Sequence, residues 1–217
     1  MVVCSMTSWP PRIRFVANAV RSILNQTCRP DYVELNLAVE NFRNRDRDLP
    51  EELVELTKSG DITINWVEKD TNVFKKISPV VRKYYGSEYV LFSIDDDAEY
   101  GDRYIERMLE MLGDNDAYCP YGGVVGFITC FRSRIFRPAF WECITPALVE
   151  NGIADAYINE YLKRVGARFV GTDAQDIKDM VRGVAALVSP NSERIGGYTP
   201  ERCRKAAILS RQALINV

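Results

Sequence analysis

The first 112 residues alternate between strand and helix patterns, and this alternation restricts the fold more than any other feature of the chain. Strand-like segments such as VVCSMTS, YVELNLAV, DITINWVE and YVLFSID are separated by segments with helical periodicity, for example RIRFVANAVRSILNQT and LPEELVELTKSG. Strands that alternate with helices typically form a parallel sheet covered by helices on both faces. We therefore predict an α/β protein with a mostly parallel sheet flanked by helices.

The second part of the chain is less regular. YCPYGGVVGFITCF is typical of a glycine-rich loop leading into a strand, IADAYINEYLKRVG of a helix, and TPERCRKAAILSRQALINV of a final helix with Thr199 at its N-cap. No repeat or linker divides the sequence, so we predict a single domain over residues 1–217, with residues 1–112 and 113–217 as its halves. The sequence ends without an evident C-cap or tail, which is compatible with a domain excised from a longer protein.

Charge and hydrophobicity argue against several classes of protein. A net charge of −2 provides no basic field for nucleic acid. No segment approaches the ~20 consecutive apolar residues that span a bilayer. The N-terminal segment MVVCSMTSWPPR lacks the features of a signal peptide. The sequence therefore predicts a protein without a membrane span, located in the cytoplasm.

The cysteines and the absence of histidine limit the chemistry. The six cysteines form no C-x-x-C pair and no zinc spacing, so we expect reduced, partly buried thiols. The chain has no histidine, which excludes Ser-His-Asp and Cys-His catalysis. Acid–base or metal chemistry must therefore use other side chains or water.

Three consecutive aspartates follow the strand YVLFSID. In open parallel sheets, ligands bind beyond the carboxyl ends of the strands, which is where Asp95, Asp96 and Asp97 lie. If the strand continued through them, Asp95 and Asp97 would share a face and Asp96 would point away. Two carboxylates ~4 Å apart repel by about 4 kcal/mol at an effective dielectric near 20. A divalent cation with oxygen ligands, Mg²⁺ or Mn²⁺, would remove that repulsion and favour a phosphate-bearing ligand, whereas the alternative is a solvated acidic turn.

A hydrophobic strand that ends in D-x-D within an alternating α/β half resembles the nucleotide-sugar glycosyltransferases of the GT-A fold. The ordered segments MTSWPPRI, LPEELVEL, FKKISPVV and IDDDAEY are similar to those of polysaccharide-type transferases, and the resemblance covers at least residues 2–171. A narrower resemblance is to the N-terminal glycosyltransferase domain of chlorella-virus proteins that build capsid glycans, which would place the protein in the host cytoplasm. The resemblance implies a nucleotide-binding first half, an acceptor-binding second half, a UDP-sugar donor, a glycan or glycoprotein acceptor, and Mn²⁺ or Mg²⁺ as cofactor.

The resemblance also assigns roles to individual residues. Asp95 and Asp97 would correspond to the D-x-D motif and hold the metal, with Asp95 and Asp96 also near the nucleotide. The other residues implied to bind the nucleotide or its phosphates are Thr7, Ser8, Trp9, Arg12, Glu40 or Asp70, and Lys75 or Lys76. Each of them has an alternative as an ordinary core, surface or loop residue; Lys75 and Lys76 are adjacent, so on a helix only one would face the site.

An inverting transferase needs a general base, and without histidine a carboxylate is the natural choice. The resemblance places this base at the start of the helix IADAYINEYLKRVG, which implicates Asp155, with Glu160 next; the alternative is that Asp155 caps the helix. The histidine that often completes the metal site in the family is absent, so Asp173, Asp176 or water would replace it. Trp141 and Tyr121 are candidates for stacking on sugar rings, although aromatic side chains are more often part of the core.

Three other functions fit parts of the pattern. Phosphatases of the haloacid type also carry D-x-D, but on their first strand. Sugar-nucleotide pyrophosphorylases share the fold but have a glycine-rich first loop, whereas SMTSWPPR contains no glycine. A non-catalytic glycan-binding or assembly module on a decayed transferase fold is the remaining alternative. The sequence favours a metal-dependent hexosyltransferase acting on a UDP-sugar.

Overall fold

The computed structural model describes residues 1–119, 129–171, 180–183 and 199–217. Nine strands form two sheets, a seven-stranded one in the order β3-β2-β1-β4-β7-β6-β8 and a small one that pairs β5 with β9. The strands are β1 (Val2–Thr7), β2 (Tyr32–Ala38), β3 (Thr63–Val67), β4 (Val90–Ser93), β5 (Ala98–Tyr100), β6 (Ala117–Tyr118), β7 (Thr129–Arg132), β8 (Phe169–Val170) and β9 (Val181–Gly183).

Eight α-helices surround the large sheet in the described part of the chain. They are α1 (Val16–Leu24), α2 (Glu51–Lys58), α3 (Ser78–Lys83), α4 (Tyr104–Leu112), α5 (Ala139–Glu142), α6 (Pro146–Asn151), α7 (Ala154–Arg164) and α8 (Pro200–Ala213). Short 3-10 helices cover Ile13–Phe15, Arg45–Asp48, Asn72–Lys76 and Ser133–Ile135. Within the described residues, no helix is both long and apolar enough to cross a lipid bilayer.

The prediction of a mostly parallel α/β sheet is confirmed. Strands β1, β2, β3 and β4 are mutually parallel, whereas β7 pairs antiparallel with both β4 and β6. Since β1–β4 come from the first half of the chain and β6–β8 from the second, one sheet joins both halves. The carboxyl ends of β1, β2, β3 and β4 therefore meet at one edge.

Two apolar layers sandwich this sheet, because successive strand residues point to opposite faces. On β1, Cys4 belongs to the layer that also contains α1, α2 and α4, and Val3 belongs to the layer beneath α3 and α5–α7. The amphipathic helix α1 buries Val16, Val20 and Ile23, as its periodicity predicts. The six cysteines are all free, and Cys4, Cys119 and Cys130 are buried, which confirms the expectation of reduced, partly buried thiols.

Pro79 has a different role from the one its sequence suggests. The segment VFKKISPVVRKYYG has a continuous helical period with a proline inside it, but the structure divides it into the 3-10 helix Asn72–Lys76 and the helix α3. Pro79 lies in the first turn of α3, where its missing N–H leaves no intrahelical hydrogen bond unmade. The proline therefore sets the start of α3 and separates it from the 3-10 helix.

Candidate active site

The three aspartates lie in a turn and not on a strand. Strand β4 ends at Ser93, and the chain turns through Asp95–Asp97 before β5 begins at Ala98. The Asp95 backbone N–H donates to the Tyr100 hydroxyl over 2.7 Å, which fixes the start of this turn. The prediction that Asp95 and Asp97 share a strand face opposite Asp96 is therefore wrong, because strand alternation ends before them.

Arg12 is the cation that holds two of these carboxylates. Its Nη2 forms ion pairs with Oδ1 of both Asp96 and Asp97, and the Arg12 side chain is only 8% exposed. Ser8 Oγ donates a 2.6 Å hydrogen bond to the other oxygen of Asp96. Arg12 reaches this position because the chain turns tightly after β1, with the Arg12 N–H donating to the Trp9 carbonyl over 2.9 Å.

Lys76 provides a second cation for the turn. Its Nζ contacts Oδ1 of Asp95, and the two side chains are 14% and 28% exposed. Two protein cations thus face the three carboxylates of this turn. The repulsion for which the sequence suggested a metal ion is therefore already reduced by Arg12 and Lys76.

The pKa values of Asp96 and Asp97 reflect burial more than any other cause. Burial raises the pKa of Asp96 to about 6, opposed by the Arg12 charge and the Ser8 hydrogen bond and reinforced by the negative neighbours Asp97 and Asp95. The pKa of Asp97 is also raised, first by burial and then by the Asp95 charge, while Arg12 and Lys76 lower it. Both carboxylates therefore hold their charge less firmly than a solvated aspartate.

A crevice opens between the end of β1 and the 3-10 helix Asn72–Lys76, which we call the lysine segment. Its lining consists of Thr7, Ser8, Trp9, Arg12, Asn72, Val73, Lys75 and Asp96. The structure thus brings together six of the residues that the resemblance assigns to the nucleotide or its phosphates: Thr7, Ser8, Trp9, Arg12, Lys75 and Asp96. Asp95 and Lys76 form the adjacent ion pair.

Asp70 and Lys75 form a buried pair at the other wall of this crevice. Lys75 Nζ contacts Asp70 Oδ1, and the two side chains are 2% and 12% exposed. Asn41 donates to Asp70 Oδ2 over 2.6 Å, and the Glu40 carboxylate accepts from the Asp70 N–H over 2.7 Å. Glu40 and Asp70, alternatives at the sequence level, therefore belong to one hydrogen-bonded network that joins the loops after β2 and β3.

The lysine segment directs both of its lysines into the site region. Lys75 contacts Asp70 whereas Lys76 contacts Asp95, so the expectation that only one of them faces the site is wrong. Both lysines reach the site region because carboxylates lie on two sides of this short 3-10 helix, with Asp70 beside Lys75 and Asp95 beside Lys76. Asn72 begins the segment with φ 55°, a left-handed conformation that asparagine tolerates better than most residues.

The residues present suit a divalent cation bound by few protein ligands. Arg12 contacts Oδ1 of Asp97, and Lys76 contacts Oδ1 of Asp95, so both carboxylates lie together at this turn. Hard carboxylate oxygens match Mg²⁺ and Mn²⁺. The described part of the chain contains no group of three or more Asp, Glu, Cys or His side chains arranged to hold a metal. A cation here would therefore need further ligands from a bound phosphate, from water or from elsewhere in the chain.

Asp155 lies in the first turn of α7 and is partly buried. The N-cap of α7 is Ile153, so Asp155 is not the cap residue that the sequence allowed as an alternative. Two residues further on, Tyr157 packs edge-on against Phe74 of the lysine segment, with ring centroids 5.6 Å apart. The helix that carries Asp155 is thus packed directly on the segment that carries Lys75 and Lys76.

The remaining candidates are less informative. Glu160 pairs with Arg164 along α7 over 2.9 Å, and the Trp141 ring packs edge-on against Tyr85. Asp173, Asp176 and Tyr121 lie outside the described residues. The roles of these residues stay predictions.

Sequence reasoning missed several polar residues of this region. Asn41 and Asn72 hold the Asp70 loop, and Ser5 and Asn36 lie buried on the strands beneath the lysine segment. The signal was present in YVELNLAV, where Glu34 and Asn36 occupy alternate positions of an otherwise apolar strand. Such a pattern in a doubly covered sheet indicates a buried polar face.

The sequence matches no family model and no curated protein. Among solved structures, the fold is similar to that of S. aureus TarS 1-349 in complex with UDP, with a TM-score of 0.57 and 8% identity. The alignment covers 100% of this chain and 66% of that one, and it covers 40% of the longer TarS structure. The chain thus spans less than two thirds of either TarS structure.

Two further structures are similar over nearly the whole chain. The mannosyltransferase PcManGT from Pyrobaculum calidifontis, in complex with GDP-Man and Mn²⁺, has a TM-score of 0.52 and 15% identity, with 99% of this chain and 72% of that chain covered. The 4-diphosphocytidyl-2C-methyl-D-erythritol synthase from Anaerococcus prevotii has a TM-score of 0.50 and 10% identity, with coverages of 96% and 95%. At these identities the likeness establishes the fold, which is GT-A-like: a mostly parallel sheet flanked by helices.

Proposed function

We propose that the protein is a glycosyltransferase that moves a hexose from a UDP-sugar to a hydroxyl of a glycan or glycoprotein, with Mn²⁺ or Mg²⁺ as cofactor. The observation that carries this proposal is the position of the aspartate turn, Arg12 and Lys76 beside the crevice at the carboxyl edge of the parallel strands. Ligands of open α/β sheets bind at this edge. A UDP complex of TarS and a GDP-Man and Mn²⁺ complex of PcManGT, both of similar fold, add support.

A nucleoside diphosphate would bind along this edge of the sheet, of which the crevice forms one part. The Trp9 ring and the Thr7 and Ser8 backbone would line the base and ribose, since they follow β1 directly. Asp95 and Asp97 would hold the divalent cation, which when bound supplies positive charge beside the diphosphate. Lys76 lies next to these carboxylates and would contact the same phosphates once they displace it from Asp95.

Asp155 would act as the general base for an inverting reaction. The acceptor oxygen attacks the anomeric carbon, its proton passes to the Asp155 carboxylate, and the bond from that carbon to the diphosphate breaks, so that the nucleoside diphosphate leaves with the bonding electrons. General base catalysis of this kind contributes about 10²–10⁴-fold in rate. The contact between Tyr157 and Phe74 joins the helix of Asp155 to the lysine segment, which supports placing both at one site.

Hydrolysis of UDP-sugars tests the reaction class. With Mn²⁺ present, we expect slow release of UDP from one UDP-hexose, and a loss of at least about 100-fold in Asp97→Ala. Asp61→Ala is the matched control, because Asp61 is partly exposed and pairs with Arg29. It should retain the rate of UDP release. Binding of UDP without hydrolysis or transfer for any UDP-sugar would instead favour a non-catalytic module.

A nucleotidyltransferase is the second candidate, because a synthase of that kind has a similar fold. Its reaction would join a nucleoside triphosphate to a sugar phosphate and release pyrophosphate. Pyrophosphate formation from UTP and a hexose 1-phosphate, in the absence of UDP-sugar hydrolysis, would favour this reaction over glycosyl transfer.

A further inference from the structure

A chain of buried polar side chains crosses the sheet beneath the crevice. We call it the polar ladder, and its members are Asn65 on β3, Asn36 on β2 and Ser5 on β1. Asn65 Nδ2 donates to Asn36 Oδ1 over 3.1 Å, and Asn36 Nδ2 donates to Ser5 Oγ over 3.0 Å. Ser5 Oγ then donates to the backbone carbonyl of Lys76 over 2.5 Å, so the ladder ends on the lysine segment.

The register of the strands aligns the ladder. Asn65 pairs with Asn36 across β3 and β2, and Ser5 lies on the same face of β1 as Thr7, the register partner of Asn36. Ser5 and Asn36 are 0% exposed. They lie on the same face of the sheet as Val3, which belongs to the apolar layer beneath α3. A parallel sheet normally carries branched aliphatic residues on such a covered face.

The far end of the ladder is anchored by a buried carboxylate. Glu34 is 0% exposed and accepts from Asn65 Nδ2 over 2.6 Å, from Lys83 Nζ over 2.9 Å and from the Tyr84 hydroxyl. Lys83 and Tyr84 lie at the end of α3, whereas Lys76 lies just before its start. The ladder and its anchor thus hold both ends of the segment from Lys76 to Tyr84 against the sheet.

Every hydrogen of the ladder amides has an acceptor, and this fixes the direction of the hydrogen bonds. Asn65 gives its two amide hydrogens to Glu34 and Asn36, and Asn36 gives its own to Ser5 and to the Met6 carbonyl at 3.1 Å. With Ser5 Oγ already accepting from Asn36, its single hydrogen goes to Lys76. A buried network in which each donor is used specifies one arrangement, because any other leaves a polar group unpaired.

We propose that the polar ladder positions Lys76, so that its ammonium group faces the aspartate turn and the phosphates that bind there. This proposal rests on the proposed function, since the phosphate group is that of the nucleotide. Ser5 is a positioning residue in this account: it touches the Lys76 backbone, and Lys76 in turn contacts Asp95. A face built only to stabilise the core would gain more from aliphatic side chains than from three polar ones.

A double-mutant cycle on UDP affinity in the presence of Mn²⁺ tests the proposal. Four proteins are compared by calorimetry: the unaltered chain, Ser5→Ala, Lys76→Met and the double variant. We expect Ser5→Ala to weaken UDP binding about 3- to 10-fold, which corresponds to one net hydrogen bond. In the Lys76→Met background the same change should cost less than about 2-fold, because the side chain it positions is gone.

Ser93→Ala is the matched control. Ser93 lies directly beside Ser5 in the register of β4 and β1 and is 4% exposed, so it is a serine of similar burial on the neighbouring strand. It should change UDP affinity less than about 2-fold. Equal losses from Ser5→Ala and Ser93→Ala, or an equal Ser5→Ala loss in both Lys76 backgrounds, would overturn the positioning role.

Amide hydrogen exchange separates this proposal from the proposed function. If the unaltered chain binds no nucleoside diphosphate, the proposed function fails, and exchange of residues 74–81 then tests the ladder alone. We expect Ser5→Ala to speed exchange there about 10-fold relative to Ser93→Ala, since the segment loses its attachment to β1. Identical exchange in the two variants would show that the ladder does not hold the segment.

Discussion

Arg12 shows how a single side chain makes the aspartate turn possible. The sequence places three carboxylates in a row, and the buried Arg12 guanidinium contacts two of them. Ser8 donates a hydrogen bond to one of these two, and Lys76 contacts the third. A carboxylate as buried as Asp96 is costly unless it is paired and hydrogen-bonded. The stability of the turn therefore depends on Arg12 before any ligand binds.

Replacing Arg12 tests this dependence. We expect Arg12→Met to lower the free energy of unfolding by about 3–5 kcal/mol, because it leaves buried carboxylates without their partner. Chemical denaturation at neutral pH measures the change. Arg21→Met removes an exposed ion pair with Glu52 and should cost less than about 1 kcal/mol. A loss for Arg12→Met no larger than for this control would show that the turn does not need the guanidinium.

The Asp70–Lys75 pair predicts a specific pH dependence. Burial alone would raise the pKa of Asp70, but Lys75 and the hydrogen bonds from Asn41 and Asn72 lower it well below its ordinary value of 3.8. Since the folded-state pKa is depressed, this stabilisation is present above the ordinary value and is lost as pH falls below it. Asp70→Asn should therefore cost about 2–3 kcal/mol at pH 7 and less near pH 2.5, where part of this stabilisation has been lost.

Denaturation curves of both proteins across this pH range provide the measurement. Asp61→Asn is a suitable control. In the described structure, the Asp61 carboxylate forms an ion pair with the largely exposed Arg29 and accepts a hydrogen bond from the Ser59 hydroxyl. The interpretation of Asp70 is wrong if the difference between Asp70→Asn and the unaltered chain stays constant between pH 7 and pH 2.5.

At the scale of secondary structure elements, α7 connects the second half of the chain to the crevice. Its buried residues include Tyr157 and Tyr161, which pack into the apolar layer beneath α3. Asp155 lies two residues before Tyr157 in the first turn of α7, close to the positive end of the helix dipole. The first turn of a helix favours a negatively charged side chain.

Asp155→Asn separates catalysis from folding. The expected result is a fall in transfer rate of about 10²–10⁴-fold with UDP affinity changed less than about 2-fold. The stability cost should stay near 1 kcal/mol, since Ile153 and not Asp155 is the N-cap. Glu160→Gln, on the same helix, should leave the rate unchanged. Full transfer activity in Asp155→Asn would show that Asp155 is not the general base.

Elements could be predicted from the sequence where local pattern decides them. The strands β1 to β4 and the helices α1, α2, α4, α7 and α8 follow from hydrophobic periodicity and end signals, for example Thr199, which accepts from the Arg202 N–H as an N-cap does. The division of the segment around Pro79 and the turn at Asp95–Asp97 did not follow. The turn depends on the ion pairs with Arg12, which no local pattern contains. The division at Pro79 has a local signal that the continuous helical period concealed, since proline favours the first turn of a helix.

The candidate site was predictable in its location but not in its pairings. The rule that ligands bind beyond the carboxyl ends of parallel strands indicated Asp95–Asp97, and the resemblance indicated Thr7 to Trp9. Which cation meets which carboxylate depends on strand order and on where the lysine segment packs. The sequence could therefore suggest a metal as the source of positive charge but could not show that Arg12 and Lys76 already provide it.

At the scale of the whole molecule, one seven-stranded sheet combines both halves of the chain, and the crevice lies where β1 and β4 adjoin near its centre. The division into a nucleotide-binding half and an acceptor-binding half remains a proposal, as does the resemblance to transferases that build capsid glycans. What the fold provides is a rigid parallel edge on which a charged turn, a lysine segment and the helix of Asp155 are packed together.

Calorimetric binding of UDP, with and without Mn²⁺, tests the central claim most directly. We expect UDP to bind with Mn²⁺ present and at least about 10-fold more weakly without it, and we expect Asp97→Ala to abolish that difference, because the cation would link this carboxylate to the diphosphate. UMP, which lacks the second phosphate, should show little dependence on Mn²⁺. If UDP does not bind, or if it binds with equal affinity with and without the metal in both proteins, the account of a metal-dependent UDP-sugar transferase is contradicted.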